Sequence, residues 1–402
     1  MVTTNAYTLD SRYRTNPGEG FDGVVRVTYS GQSASGTLLF DGRAVLTAAH
    51  LFDGRPPNTA TIIFETRSGT QSLSSAKILA HPSYDSQSNH DLALVWLSGA
   101  APAAADRYGL YRDSNEIGRA FTLVGFGKTG TGQTGITSTE SSPPIRLKAE
   151  NQFDADASAL KAELGGGMSW TPAAGKQLVA DFDNGISAND ALGRLLGLSD
   201  FGRGALEGLV AQGDSGGPAF IGNQIAGVAS YTTSLNKGAI RPDIDTVLMN
   251  SSFGEMGAWQ RVSAYQQWID QNLRAHHLDA PARPDQVQKI ISEGDSGTSL
   301  AYFLVQFNGT RQQADATISV DYGTRDGSAL SGSDYIGTRG RLNLYPGEQQ
   351  AVIAVEIIGD RVAEPTEFFY LDIFNPIGGS FAPGVLQLTA VRTIVDQDGW
   401  MG

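Results

Sequence analysis

The chain has 402 residues, 40% of them hydrophobic, and a formal net charge of −13. That length accommodates two or three domains with real cores, while the negative charge argues against nucleic acid and anionic lipid, both of which require basic patches. Cysteine is absent, so disulfides, thiol catalysis and cysteine-held metals are excluded.

No run approaches the roughly 18 to 20 consecutive apolar residues of a membrane span, and the opening MVTTNAYTLD has no basic stretch followed by an apolar one. The expectation is a protein that stays inside, or one whose signal has been removed.

From the N-terminus, short β-rich runs (GVVRVTYS, GTLLFDGRAVLTAA, TATIIFET, DLALVWLS) are punctuated by Gly, Pro and Asp. That spacing predicts an antiparallel barrel or sandwich. AVLTAAH, ending at His50, reads as a buried strand turning into a small-residue helix start. HPSYDSQSNHDLALVWL places Asp91 at the head of the next apolar strand, where a carboxylate can be partly buried and still reach an imidazole.

Residues 155–205 differ: DASALKAELGGG and NDALGRLLGL read as short helices in a glycine-rich insert that decorates the sheet. Within it, Asp181, Asp183 and Asp190 with Asn184-Gly185 have the carboxylate density of a calcium loop, but the glycine is one position early for the EF-hand pattern. A turn before a helix capped by Asn189 or Asp190 is the reading preferred.

Farther on, SAYQQWIDQNLRA reads as an amphipathic helix, and HHLDAPARPDQVQ, with two prolines, as a linker. Beyond it, SLAYFLVQFNG, ATISVDYGT, QQAVIAVEIIGD, EFFYLDIFN and LTAVRTIVD alternate apolar and polar positions, as in a β-sandwich. Residues 289–402 hold 14 acidic residues against 7 basic, so the acidity is concentrated there.

The tetrapeptide Gly-Asp-Ser-Gly occurs twice, as AQGDSGGPAF around Ser215 and SEGDSGTSLA around Ser296. A serine hydroxyl is a weak nucleophile unless an imidazole takes its proton and a carboxylate orients that imidazole. Five histidines are available: His50, His81, His90, His276 and His277.

The order His50, Asp91, Ser215 in TAAH, NHDLAL and GDSGGP, with SGTLLF, LVGFG, GVASY and GAWQRVSAYQQWI around them, resembles the trypsin/chymotrypsin family of serine proteases. The resemblance covers roughly residues 20–275 apart from the insert. It implies that Ser215 is the nucleophile, His50 the general base and then acid, Asp91 the group that sets the His50 tautomer, and the amides of Gly213 and Ser215 the oxyanion hole. It puts Leu209 at the floor of the primary pocket, Ser230, Tyr231 and Thr232 on the segment that pairs with substrate backbone, and Gly257 on the pocket wall. An apolar floor offers nothing to a substrate Lys or Arg, and Thr232 narrows the entrance, so a small or medium apolar residue is expected before the scissile bond. Ala34, Leu51 and Ala211 stand where family disulfides would be.

The resemblance also implies an activation pocket at Asp214, paired in the family with a new N-terminal ammonium. TLDSRYRTNPGEG contains no Ile/Val-Val-Gly-Gly start, which leaves another group, cleavage near Arg12 or Arg14, or no switch.

VDYGTRDGSALSGSDY, LNLYPGEQQAVIAVEIIGDRVAEPTEFFYLDIFN and TIVDQDG resemble the Calx-beta domain, a calcium-associated β-sandwich. Calcium takes six to eight oxygens gathered at one place. The candidate metal ligands are Glu293, Asp326, Asp360, Glu364, Asp396 and Asp398, with Glu367 adding a further contact. Gly359 and Gln397 replace aspartates of calcium-rich members, so few or weak sites are expected. Ser296 has no histidine in this module.

The expected architecture is all-β. A double antiparallel β-barrel (1–278, insert about 155–205) with a helical insert and a C-terminal helix is followed by a linker (279–288) and a β-sandwich (289–402). The expected function is a secreted or cell-surface serine endopeptidase of bacterial type. It would act on protein or peptide, need no cofactor for its chemistry, carry calcium in the small domain and bind an extracellular partner through that domain. The alternative is a catalytically silent homologue used for adhesion or binding.

Overall fold

The computed structural model describes residues 2–6, 10–137, 144–311 and 313–397. The chain divides into two compact units, one made of Met1–Leu39, Arg43–Gly99 and Ala104–Gln266, the other of Phe40–Gly42, Ala100–Ala103 and Gln267–Gly402.

In the first unit, six strands close into an antiparallel barrel in the order Val24–Tyr29, Gln32–Leu38, Ala44–Thr47, Ala93–Leu97, Gly69–Ala80, Thr61–Thr66. The first two are joined by Ser30-Gly31, both at positive φ (47° and 80°), the backbone that matches the twist of a two-residue hairpin. Thr61–Thr66 alternates, with Ile62 and Phe64 buried between more exposed neighbours, whereas Ala44–Thr47 and Ala93–Leu97 are buried throughout. Gly69–Ala80 is legible only in the structure: its residues are small, polar and largely exposed, so they carry little apolar period.

A second sheet follows the path Leu147–Gln152, Ala120–Gly125, Pro218–Ile221, Gln224–Thr233, Met256–Arg261, Gln177–Asp181, Ala155–Asp156. A separate four-stranded sheet contains Val2–Thr4 between Gly130–Thr131 and Gly208–Val210. The core here includes Phe121, Phe153, Leu178, Leu209 and Trp259, all at most 2% exposed; each such side chain contributes about 1.5–3 kcal/mol relative to exposure.

The insert corrects one expectation. Ala157–Leu164 and Ala191–Leu196 are helices as predicted, but Gln177–Asp181 between them is a strand inside the main sheet, paired with Met256–Arg261. It does not decorate the sheet. All five of its residues are buried, so the sequence shows no alternation there.

In the second unit, five strands run in the order Ile290–Ser292, Gln387–Val395, Glu367–Ile377, Ile318–Asp326, Arg339–Leu344, and Thr298–Gln306 pairs with Gln350–Ile358. Their inner faces share a core containing Phe303, Tyr335, Ile357, Phe369 and Leu371. The helix Gln266–His276 belongs to this unit from its second residue onward. Asp270 Oδ2 accepts from Tyr345 Oη at 2.7 Å, and Arg274 Nη1 reaches Glu348 Oε2 at 2.9 Å. Among the described residues no helix is long and apolar enough to cross a membrane.

Candidate active site

The fully buried strand Ala44–Thr47 ends at Ala48, and Ala49–Leu51 forms one 3-10 turn centred on His50. Ala48 and Ala49 are at most 1% exposed, and their small side chains let the turn lie tightly against its surroundings. Asp91 grips this turn twice: its Oδ1 accepts from His50 N at 2.8 Å, and its Oδ2 lies 2.7 Å from His50 Nδ1. Ser230 Oγ donates to the same Oδ2 at 2.5 Å.

Asp91 is 0% exposed. A buried carboxylate held by three donors has a defined orientation, and it can accept only if Nδ1 of His50 carries the proton. Nε2 is then the nitrogen with the free lone pair. Burial disfavours the imidazolium of His50, but the hydrogen bond and charge of Asp91 outweigh it and hold the pKa above its ordinary value.

The loop before Asp91 is anchored by the second sheet. Gln177 Nε2 and Gln260 Nε2 both donate to Ser88 O at 2.8 Å, and Asn89 Oδ1 accepts from Ala173 N at 2.7 Å. His81 and His90 stack with ring centroids 5.1 Å apart beside Tyr265. Burial, then the His90 and Lys176 charges, push His81 down to about 4.

The serine loop is braced from both sides. Gly216 has φ +79°, and a Cβ added there would lie 2.1 Å from Thr47 Oγ1 and 2.7 Å from Ala48 N, so only glycine lets the loop approach the end of the histidine strand. Ser215 O accepts from Ser35 N at 2.9 Å, and Gly213 O from Ser35 Oγ at 3.1 Å. The next amides are spent inside the protein: Asp214 N on Ala211 O, Gly216 N on Ala229 O and Gly217 N on Asp214 O. Among the described residues the amides of Gly213 and Ser215 have no acceptor. Two open donors on either side of the spent Asp214 amide, in a braced turn, suit a developing oxyanion. No hydrogen bond joins Ser215 Oγ to the His50 ring among the described residues; catalytic contacts of this kind often tighten only around substrate.

Asp214 is 1% exposed. Its Oδ1 accepts from Gly127 N and its Oδ2 from Ala211 N, both at 2.8 Å. Burial pushes its pKa up to about 6, partly offset by the Ala211 hydrogen bond.

The specificity candidates fall into two groups. Thr232 pairs with Gly257 across the strands, and Leu209 Cδ1 lies 3.0 Å from where a Gly257 Cβ would be, so these three are brought together. Leu209 is fully buried. Ser230 is the extra residue where the register shifts between Ala229 and Tyr231; the bulge turns its hydroxyl inward to Asp91. The Tyr231 hydroxyl accepts from Trp170 Nε1 at 3.1 Å and donates to Gln177 Oε1 at 2.9 Å, which commits that ring to the insert.

In the second unit, one carboxylate oxygen from each of Asp334, Glu364 and Glu367 lies within 4.8 Å of the others. Burial, then Asp360 and Glu364, push Glu293 up to about 7, and burial, then Asp334, does the same for Glu367. Asp396 Oδ2 accepts from Glu364 N at 2.6 Å, and Asp360 Oδ1 from Val362 N at 2.6 Å. Asp326 is engaged elsewhere, accepting from Ser331 N at 2.9 Å and Tyr335 Oη at 2.5 Å. Asp398 lies outside the described residues. Asp334 was not read from the sequence; its one signal is the acid directly before Tyr335, a core residue. At Gly359 a Cβ would meet Gly294 O at 2.5 Å, which explains why no aspartate stands there. Ser296 is exposed on this same turn.

Residues 12–154 match the family model Trypsin, a span that contains His50 and Asp91 and ends before Ser215. Residues 297–398 match the Calx-beta domain. Sodium/calcium exchanger 2 of Mus musculus is 32% identical over 31% of this chain and 17% of its own length. Sodium/calcium exchanger Calx of Drosophila melanogaster is 43% identical over 20% of this chain and 8% of its own. The chain thus spans less than a fifth of these curated relatives. Among solved structures, neuropsin, a serine protease expressed in the limbic system of mouse brain, aligns with 65% of this chain and 98% of its own at 16% identity and a TM-score of 0.46. The chain therefore joins a trypsin-family domain to a C-terminal Calx-beta domain.

Proposed function

We propose that the protein is a serine endopeptidase working through Ser215, His50 and Asp91. The observation that carries this reading is the buried Asp91 carboxylate, which holds His50 by both its ring and its backbone N–H and leaves Nε2 as a base. His50 Nε2 takes the Ser215 proton as Oγ attacks a peptide carbonyl. The amides of Gly213 and Ser215 receive the oxyanion, each such donor supplying about 3–4 kcal/mol. His50 then protonates the leaving amine, and water, activated by the same nitrogen, releases the acyl group.

Leu209, Thr232 and Gly257 offer no carboxylate to a substrate Lys or Arg; Leu209, placed by the sequence at the pocket floor, is fully buried and presents no surface, so Thr232 and Gly257 are what support cleavage after small or medium apolar residues. The Calx-beta domain is proposed to hold calcium. Its acids fit the ion: three half-buried to buried carboxylates that lie close together are joined by the buried Glu293 and by Asp360 and Asp396, and the ion would cross-link the loops that carry them. A partner recognised through this domain belongs to the same proposal.

Labelling with a fluorophosphonate probe tests the catalytic reading. The intact chain should label, and Ser215→Ala and His50→Ala should not. No labelling of the intact chain across pH and calcium concentration would favour a silent, binding homologue. Calcium titration of Glu364→Gln against the intact chain tests the metal.

A further inference from the structure

The first unit contains a second group of acids that the serine chemistry does not use. Asp181, Asp183 and Asp190 are at most 3% exposed, and one carboxylate oxygen from each lies within 4.8 Å of the other two. Two of the three also cap the helix Ala191–Leu196: Asp181 Oδ2 accepts from Leu192 N and Asp190 Oδ1 from Gly193 N, each at 2.6 Å. Ser199 also hydrogen-bonds the Asp190 carboxylate. Asp183 caps nothing, and its Oδ1 is buried without a hydrogen-bond partner. Such an orphan oxygen costs free energy unless something neutralises it.

Neighbouring acids add to the negative field. Glu207, fully buried, accepts from Asp183 N at 2.7 Å through Oε1, and burial and Asp181 push its pKa up to about 8 against the pull of its backbone donors. Among the described residues no ion pair reaches Asp181, Asp183 or Asp190. Two devices can satisfy crowded buried carboxylates: shared protons or a cation. Burial, then the charges of Asp181 and Asp200, push Asp154 up, which favours its protonated form. No hydrogen bond joins Asp181, Asp183 and Asp190 to one another among the described residues.

We infer that Asp181, Asp183 and Asp190 form a binding site for one hard divalent cation of calcium's size, built into the protease unit and separate from the acids of the Calx-beta domain. Calcium gathers several carboxylate oxygens at roughly 2.3–2.6 Å, so its ligands must converge on one point; one oxygen from each of these three side chains lies close enough to the other two to do so. The site is no EF-hand, because its ligands come from a strand end, the following turn and a helix cap. Asp181 ends the strand Gln177–Asp181, whose Ala180 pairs with Gly257, and Glu207 leads into Gly208–Val210 and the serine loop. The ion ties these segments together where buried negative charge would otherwise push them apart.

The test uses the full chain with Ser215→Ala to prevent self-cleavage and with Asp334→Asn, Glu364→Gln and Glu367→Gln to silence the C-terminal acids. Calcium is titrated by calorimetry, and the melting temperature is followed up to about 1 mM ion. One calcium per chain and a rise in melting temperature are expected. Adding Asp183→Asn should weaken binding by roughly tenfold or more and abolish the rise; Asp190→Asn, whose amide oxygen still caps the helix, should do the same while circular dichroism stays unchanged. Absence of heat and of any melting shift in the silenced parent overturns the site, as does calcium binding unaltered by Asp183→Asn. Should Asp183→Asn raise the melting temperature while the parent ignores calcium, the acids share protons and the inference fails.

Discussion

Gly216 lies so close to Thr47 that a single methyl group added to the glycine would stand 2.1 Å from the threonine Oγ1. Ser215 is thereby pinned beside the strand end that carries His50. Gly216→Ala meets both this clash and a positive φ, and is expected to cost about 3 kcal/mol or more in urea unfolding and to abolish probe labelling. Gly222→Ala is the control: φ is +61° but nothing lies within 4 Å, so the backbone strain alone should cost about 1 kcal/mol and leave labelling intact.

His50 should set the acid limb of the pH–rate profile. Its pKa is raised in the folded chain, and catalysis needs the neutral imidazole, so activity should rise with pH through a midpoint above the ordinary histidine value. Asp91→Asn removes the charge and leaves the burial. The midpoint should then move down and kcat/KM fall by about 10⁴-fold, because the amide no longer specifies the tautomer. In stability the sign runs oppositely: the His50–Asp91 contribution is complete below the unfolded pKa and is lost as pH rises through the folded one.

Ser230→Ala leaves Asp91 Oδ2 with one donor instead of two and vacates a buried hydroxyl site. A loss of about 1–2 kcal/mol in stability is expected, with kcat reduced and KM little changed in steady-state kinetics on a peptide ester. An effect on KM alone would mean that the hydroxyl serves substrate rather than Asp91.

Arg146 and Asp22 form a buried ion pair at 2.6 Å, with side chains 1% and 3% exposed. Arg146 Nε also donates to Thr15 Oγ1 at 2.7 Å, and Asp22 accepts from Gly18 N and Arg67 N. Arg146→Met strands the carboxylate and is expected to cost about 3–5 kcal/mol in denaturant unfolding. Adding Asp22→Asn should restore part of that, since the uncompensated charge is what costs most.

Much of the site was legible in linear order. His50 follows a strand of apolar and β-branched residues, Asp91 heads another, and the glycines around Ser215 mark a turn; periodicity and turn chemistry are local properties. Strands buried on both faces, such as Gln177–Asp181, and strands with hardly any apolar face, such as Gly69–Ala80, were not legible as strands, because neither displays an alternation.

The sequence by itself determined the mostly β character and the division into a trypsin-like segment and an acidic C-terminal one. Tertiary structure alone decided the rest. It turned Ser230 inward to Asp91, covered Leu209 completely, grouped Asp334 with Glu364 and Glu367, and gathered Asp181, Asp183 and Asp190 around one buried point. These outcomes depend on register shifts, strand pairing and burial between residues far apart in the chain, and such pairings are a property of the packed fold rather than of any local stretch.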